Sequence, residues 1–236
     1  MEAPRSIAII MDGNRRFAKE ILKRPAEEGH EFGVKKAREL LEWADEVGIK
    51  CITAYALSIE NMNSRPKKEL DRLYEYLDKE MDKILEDDHK VHETETRMRF
   101  LGRLELLPEH IQRKMKEIEE RTKNYNKHFL NMAIAYGGQQ EIVDAMRKVG
   151  IKLEEGSIEV KQIDKSLVSE NMYLEESNYP DLIIRTGGER RLSNFLLWEA
   201  AYSELAFTDE RWPEFKKETF LKIIDDYKKR ERRFGK

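Results

Sequence analysis

Short, continuous apolar runs alternate with longer segments of helical period along this 236-residue chain. The runs are Ser6–Met11, Lys50–Leu57, Arg97–Leu101, Phe129–Tyr136, Leu182–Arg185 and Leu205–Phe207. A strand that is apolar at successive positions must be covered on both faces. That is the situation of a parallel strand inside an α/β sheet. Between the runs, Val34, Ala37, Leu41, Ala44 and Val47 step by three or four. Leu70, Leu73, Leu77, Met81 and Leu85 do the same, with Tyr74 and Tyr76 alongside. Pro66 marks the start of that second helix and Pro108 opens another through Tyr125, because a first-turn residue has no intrahelical N–H bond to lose. Gly48 ends a helix and Gly102 a strand, and Pro213 begins a last amphipathic helix. No repeat or low-complexity linker interrupts the pattern. The expectation is a single α/β domain over residues 1–236, with a mostly parallel sheet flanked by helices.

Composition removes several functions. A formal net charge of −3 offers no basic field for nucleic acid. Charged residues make up 39% of the chain with the signs nearly balanced, the pattern of a solvated, ion-paired surface that suits a thermophile. Cys51 is the single cysteine, which excludes a disulfide framework and a cysteine zinc site, and its apolar neighbours mark it as a core residue. No stretch approaches the apolar length of a membrane span, and the N-terminus lacks the apolar core of a signal peptide. The protein is therefore expected in the cytoplasm, peripheral to a membrane at most. His89 and His92, on a charged helix end, read as solvated side chains rather than metal ligands.

Ligands of open parallel sheets gather at the carboxyl ends of strands, and three predicted strand ends carry unusual residues. After Ile10-Met11 come Asp12, Gly13, Asn14, Arg15 and Arg16. A helix start with arginines suits phosphate, and Asp12 can hold Mg²⁺ against the same phosphates; equally, Asp12 or Asn14 can simply cap the helix. After Leu57 come Ser58, Ile59, Glu60, Asn61 and Met62, closed by Arg65-Pro66. These polar groups can orient a substrate and pass a proton, or only shape a loop. After Ile184 come Arg185, Gly187, Gly188, Arg191, Leu192 and Ser193, a second anion cradle or a buried arginine ion pair. Two phosphate-type sites with one carboxylate between them suggest two diphosphate substrates.

Met11–Ala18, Ser58–Arg65 and Arg185–Leu197 resemble signature segments of the cis-prenyltransferases, the undecaprenyl diphosphate synthase family. Tyr136-Gly137-Gly138, the stretch from Trp198 to Leu205 and the terminal Arg232-Arg233-Phe234-Gly235 are similar as well, all in family order. The resemblance implies a six-stranded parallel sheet, an apolar tunnel, a homodimer and Mg²⁺ dependence. It implies that Asp12 positions Mg²⁺, with Glu204 as a second metal-associated carboxylate. Gly13, Asn14, Arg15, Arg16 and Phe17 would form the allylic diphosphate loop, with Arg24 and His30 as further contacts. Arg185, Arg191, Leu192 and Ser193 would hold isopentenyl diphosphate. Asn61 would help remove the proton, with Ser58, Ile59, Glu60, Met62 and Arg65 around it, and the Arg233-x-Gly235 ending would reach a partner subunit. Phe17 and Met62 stand where tryptophans are usual, and Gln139-Gln140 replaces a usual Arg-Trp pair. Arg24 and Arg65 border stretches one residue longer than usual.

The implied reaction is condensation of isopentenyl diphosphate with an allylic prenyl diphosphate to a polycis-prenyl diphosphate, a precursor of glycosyl carrier lipid. Helices Val34–Val47 and Leu70–Leu85 would sheathe the growing chain, and each added unit would bury up to about 4 kcal/mol of apolar surface. Slow release to a transiently contacted membrane surface follows. Three other readings compete with this one. A trans-prenyl synthase needs aspartate-rich motifs that neither Asp87-Asp88 nor Asp225-Asp226 completes. A phosphatase of the haloacid dehalogenase type wants an aspartate where Asn14 stands. A non-catalytic supporting subunit tends to lose the residues that Asp12, Arg16, Arg185 and Arg191 retain.

Overall fold

The computed structural model describes residues 2–230. Six strands form one sheet: β1 (Ser6–Ile10), β2 (Cys51–Ser58), β3 (Thr96–Leu101), β4 (His128–Tyr136), β5 (Leu182–Arg185) and β6 (Glu204–Phe207). Their spatial order is β3-β4-β2-β1-β5-β6, and every pairing is parallel. The helices are α1 (Asn14–Phe17), α2 (Gly29–Glu46), α3 (Ile59–Ser64), α4 (Lys67–Ile84), α5 (Lys90–Glu93), α6 (Glu109–Thr122), α7 (Gly138–Glu154), α8 (Lys165–Asn171) and α9 (Lys217–Lys229).

The unbroken apolar runs are explained by two cores, one on each face of the sheet. Ile7 and Ile9 of β1, Ile52 and Ala54 of β2 and Ile184 of β5 enter the larger core. There they meet Leu40 and Trp43 of α2, Leu73 of α4, Met115 of α6 and Phe220 of α9. Ala8, Ile10, Ala133, Tyr136 and Ile183 point the other way, against Leu174, Phe195 and Leu196. Successive side chains of a strand alternate between faces, so both sets must be apolar. Cys51 is 2% exposed, and burial pushes its thiol up to about 11, as a core role requires.

The three strand ends singled out by sequence belong to β2, β1 and β5, the three adjacent strands at the sheet centre. In register, Ile10 lies beside Tyr55 and Arg185. The loops after these strands must therefore share one crevice, at the point where the chain order reverses about β1.

At the Asp12 loop, Gly13 is not replaceable without backbone movement. Its φ is 109°, and a Cβ there would lie 2.7 Å from the Cβ and 2.8 Å from the Cα of Arg211. Trp212, fully buried, donates its backbone N–H to the Asp12 carbonyl at 2.8 Å and its indole N–H to the Gly33 carbonyl at 2.8 Å. The Asp12 loop is thus clamped from the segment after β6. Gly13→Ala is expected to destabilise the protein by about 2–3 kcal/mol, from backbone strain plus a contact that only backbone movement relieves. A melting temperature lowered by roughly 5–10 °C in a thermal denaturation scan is the expected result, and a drop under two degrees would show the loop to be pliable.

Candidate active site

A cavity of about 610 Å³ opens where the three central loops meet. Asp12, Asn14 and Arg15 line it from the β1 end, and Tyr55, Ser58, Glu60 and Asn61 from β2 and α3. Arg185, Arg191, Ser193 and Asn194 line it from the β5 end, and His30 and Arg65 complete the wall. A smaller adjoining pocket of about 230 Å³ adds Gly13 and Arg16. Four arginines face two carboxylates in the main cavity, a cationic surplus suited to polyanions.

Arg185 organises the centre. It is 4% exposed, and its guanidinium donates to Asp12 Oδ2 at 2.9 Å, the Arg191 carbonyl at 2.6 Å and Ser193 Oγ at 2.6 Å. Its buried Nε has no hydrogen-bond partner. On the other side Arg16 Nη2 approaches Asp12 Oδ1 at 3.4 Å. Asp12 therefore stands between two arginines from different loops, and the side chain remains 32% exposed toward solvent. Arg185 thus forms the buried ion pair, and the same guanidinium holds the Arg191–Ser193 turn. Gly187, φ 85°, lets the β5 loop pass close by, since a Cβ there would lie 2.7 Å from Arg16 Nη2 and 3.0 Å from the Asp12 carbonyl.

The opposite wall has a charge cluster that sequence reasoning missed. Glu69, in the first turn of α4, is 4% exposed and takes Arg15 Nε at 3.3 Å, Arg65 Nε at 3.5 Å and His30 Nε2 at 3.5 Å. The hydrogen bond with His30, followed by the two arginines, holds its carboxyl below the usual range. Burial lowers Arg65 in turn. One carboxylate shared among these groups leaves positive charge for an incoming anion. In sequence, Glu69 reads only as an acidic first-turn residue complementing the helix dipole.

Other residues fare differently. Ser58 N-caps α3, its Oγ accepting from the Asn61 backbone N–H at 3.0 Å, which aims the exposed Asn61 side chain at the cavity. Tyr55 was overlooked: it stacks on Phe195 at 4.4 Å and donates its hydroxyl to the Tyr136 and Ser193 carbonyls, both at 3.3 Å. Asn194, also unassigned by sequence, accepts at Oδ1 from the Gln139 backbone N–H and donates its amide to Glu60. Ser193, Asn194 and Leu196 all have positive φ, 51°, 62° and 47°. Such non-glycine residues cost on the order of 1–2 kcal/mol each, so this cradle is a strained structure held by its contacts.

Several expected contacts lie elsewhere. Arg24 is exposed and pairs with Glu28 at 3.2 Å, outside the cavity, because the chain turns away after the π-helical turn Ala18–Leu22. Arg15 and Arg65 stand where Arg24 was expected. Phe17 packs on Phe32, Met62 on the larger core, and Leu192 on the smaller core; Ile59 opens α3 without lining the cavity. Glu204 begins β6 in register with Leu182, about 10 Å before the level of Arg185. It pairs with Arg230. Within one chain it cannot share an ion with Asp12. The Arg233-x-Gly235 ending lies outside the described residues. His92 is not merely solvated: it bonds the Tyr125 hydroxyl at 3.1 Å and the Ile84 carbonyl at 2.8 Å. α1 has only four residues, so side-chain cations, more than a helix dipole, supply the attraction for phosphate.

A family model described as putative undecaprenyl diphosphate synthase matches residues 10–235. The chain belongs to this family of cis-prenyltransferases. It condenses isopentenyl diphosphate with an allylic prenyl diphosphate, the reaction of the family. A relative from Methanocaldococcus jannaschii, a tritrans,polycis-undecaprenyl-diphosphate synthase specific for geranylgeranyl diphosphate, is 51% identical over 99% of this chain and 83% of its own length. One of the same description from Archaeoglobus fulgidus is 48% identical over 94% of this chain and 87% of its own length. Lavandulyl diphosphate synthase from Lavandula x intermedia, crystallised with dimethylallyl diphosphate, superposes with a TM-score of 0.91 at 32% identity, covering 99% of both chains. A probable undecaprenyl diphosphate synthase from Campylobacter jejuni gives 0.80 at 32% identity over all of both chains. No described helix is long and apolar enough to cross a membrane.

The donor set also bears on a metal. Among the described residues no three His, Cys, Asp or Glu side chains gather into a cage. Asp12 is a single, partly exposed carboxylate beside a cationic cavity. Mg²⁺ commonly binds through one or two carboxylates plus substrate phosphates and water. The site therefore fits an ion that arrives with a diphosphate.

Proposed function

We propose that this enzyme extends geranylgeranyl diphosphate with isopentenyl diphosphate in a Mg²⁺-dependent reaction, making a long polycis-prenyl diphosphate for glycosyl carrier lipid. The observation that carries the proposal is the pair of cationic lobes on either side of Asp12, and the primer is suggested by the specificity named for the relatives.

Arg15, Arg16, His30 and Arg65, with Gly13 and Asn14, would hold the allylic diphosphate. Arg185, Arg191 and Ser193 would hold the isopentenyl diphosphate. Asp12 would hold Mg²⁺, which when bound stabilises charge on the departing diphosphate. The arginines keep the allylic carbon and the isopentenyl double bond side by side in a common crevice, so that proximity supplies much of the rate. As the new carbon–carbon bond forms and diphosphate leaves, a proton must be lost to restore a double bond. Asn61, at the mouth between the lobes, would orient the group that accepts it.

The growing chain would run between α2, α4 and the sheet. An apolar cavity of about 180 Å³, walled by Leu41, Ala44, Ile49, Ile52, Val91 and Leu130, lies at the amino ends of the strands. On β2, small Ala54 stands between it and the catalytic cavity and faces the larger core. A second copy of the chain would cover the exposed apolar side chains Val143, Met146, Leu197, Tyr202 and Leu205. The same copy could bring its Glu204 to the metal.

Purified protein with Mg²⁺, labelled isopentenyl diphosphate and primers of increasing length is expected to give highest kcat/KM with geranylgeranyl diphosphate. Chromatography of the dephosphorylated products reads the outcome. Preference for a shorter primer would overturn the primer assignment, and no product with any primer would favour a supporting-subunit role.

A further inference from the structure

The strained β5 loop is held from below by acids that no catalytic role uses. Glu141 of α7 and Glu199, just after the loop, are 0% and 3% exposed. The carboxyls face one another, and both oxygens of Glu199 are buried without a hydrogen-bond partner. Glu141 is the better connected. It accepts from the Tyr136 hydroxyl and, at 2.6 Å, from the Tyr173 backbone N–H. The Tyr136 hydroxyl oxygen in turn accepts the Leu196 backbone N–H at 3.2 Å. A continuous hydrogen-bond path thus runs from the carboxyl pair to the left-handed loop carrying Ser193 and Asn194.

Among the described residues no cation pairs with either carboxyl. Tyr136 faces it from β4, and Tyr173 and Tyr179 from the segment after α8. On α7 the nearest acid beyond is Asp144, itself held by Arg103 at 2.9 Å, Arg147 at 3.0 Å and the Tyr173 hydroxyl. Lys148 donates to the Asn171 carbonyl and sits over the Tyr173 ring. Two buried carboxylates without a counterion cannot both ionise.

We propose that Glu141 and Glu199 share one proton and, through Tyr136, act as a positioning clamp that keeps the Ser193–Leu196 turn in its strained, isopentenyl-diphosphate-binding shape. The assignment of that turn to isopentenyl diphosphate rests on the function proposed above. The clamp itself rests on burial and connectivity. Burial, with Glu141 beside it, pushes Glu199 up to about 9, consistent with its holding the proton.

The folded state then binds more protons than the unfolded chain from the ordinary glutamate range up to about pH 9, so stability falls as pH rises through that window. Glu199→Gln, which keeps the shape and removes the ionisation, is expected to melt roughly 5 °C or more above the parent near pH 8, and the gap closes toward pH 4. Parallel melting curves for parent and variant would overturn the shared proton.

Positioning is read by kinetics. Glu141→Leu is expected to raise the KM for isopentenyl diphosphate about tenfold and leave the allylic KM within twofold. Glu141→Gln keeps both contacts, its carbonyl accepting from the Tyr173 backbone N–H and its amide donating to the Tyr136 hydroxyl oxygen, and restores the parent value. Equal rises in both KM values, or no rescue by glutamine, would show a general structural role and overturn the clamp. A rise confined to the allylic KM would support the clamp and overturn the substrate assignment of the loop.

Discussion

Asp12→Asn is expected to slow chain elongation by about a thousandfold or more, with the melting temperature within a few degrees of the parent. The side chain sits between Arg185 at 2.9 Å and Arg16 at 3.4 Å, where the two cationic lobes meet. Asparagine can still accept a hydrogen bond from Arg185, so the frame survives. What it loses is the negative charge that would anchor a divalent cation and balance the two arginines. Removal of a single preorganised charge-stabilising group commonly costs 10²–10³ in rate, and here the same substitution also removes the proposed metal anchor. Asp12→Ala goes further, leaving the buried Arg185 without its carboxylate, and it should lower stability as well as rate. Initial rates of isopentenyl incorporation over a range of Mg²⁺ concentrations, with circular dichroism melts of the same samples, test both parts. A rate within tenfold of the parent at saturating Mg²⁺ would remove Asp12 from the reaction.

The fold was legible because each strand had to be apolar on both faces, a demand that leaves a visible run. All six runs correspond to strands, with ends within about two residues. α7 left no such mark. Its buried face is Gly138, Glu141, Ala145 and Val149, while Val143, Met146 and Ile151 are exposed. An acid inside and apolar residues outside blur the helical period. The site was legible where one strand end carried several polar residues together, as at Asp12–Arg16 and Arg185–Ser193. It was not legible where a single residue acts across long sequence distance. Glu69 meets Arg15 from 54 positions away, and Trp212 reaches the Asp12 carbonyl from 200. Glu204 shows a different limit. A family role attached to a residue type does not say which end of the strand the residue occupies, and in this chain it begins β6.

Arg185→Lys should be nearly as damaging as loss of Asp12, although it preserves charge. The guanidinium spans three acceptors on two loops: Asp12 Oδ2, the Arg191 carbonyl and Ser193 Oγ. A lysine ammonium is a compact point charge and cannot reproduce that planar fork. With Arg185 4% exposed, water cannot easily replace the bonds that are lost. Two of the three contacts, those to the Arg191 carbonyl and Ser193 Oγ, fall on the β5 cradle, so the expected signature is a KM for isopentenyl diphosphate raised about 10–100-fold, equivalent to roughly 1.4–2.8 kcal/mol. kcat should fall as well, since Asp12 loses its fixed neighbour, while the allylic KM changes by less than threefold. The split distinguishes two accounts of the site. If Arg185 only holds the fold, both KM values and the melting temperature should move together. If it is the hinge between the metal carboxylate and the isopentenyl cradle, the isopentenyl KM and kcat should change with the allylic KM left in place.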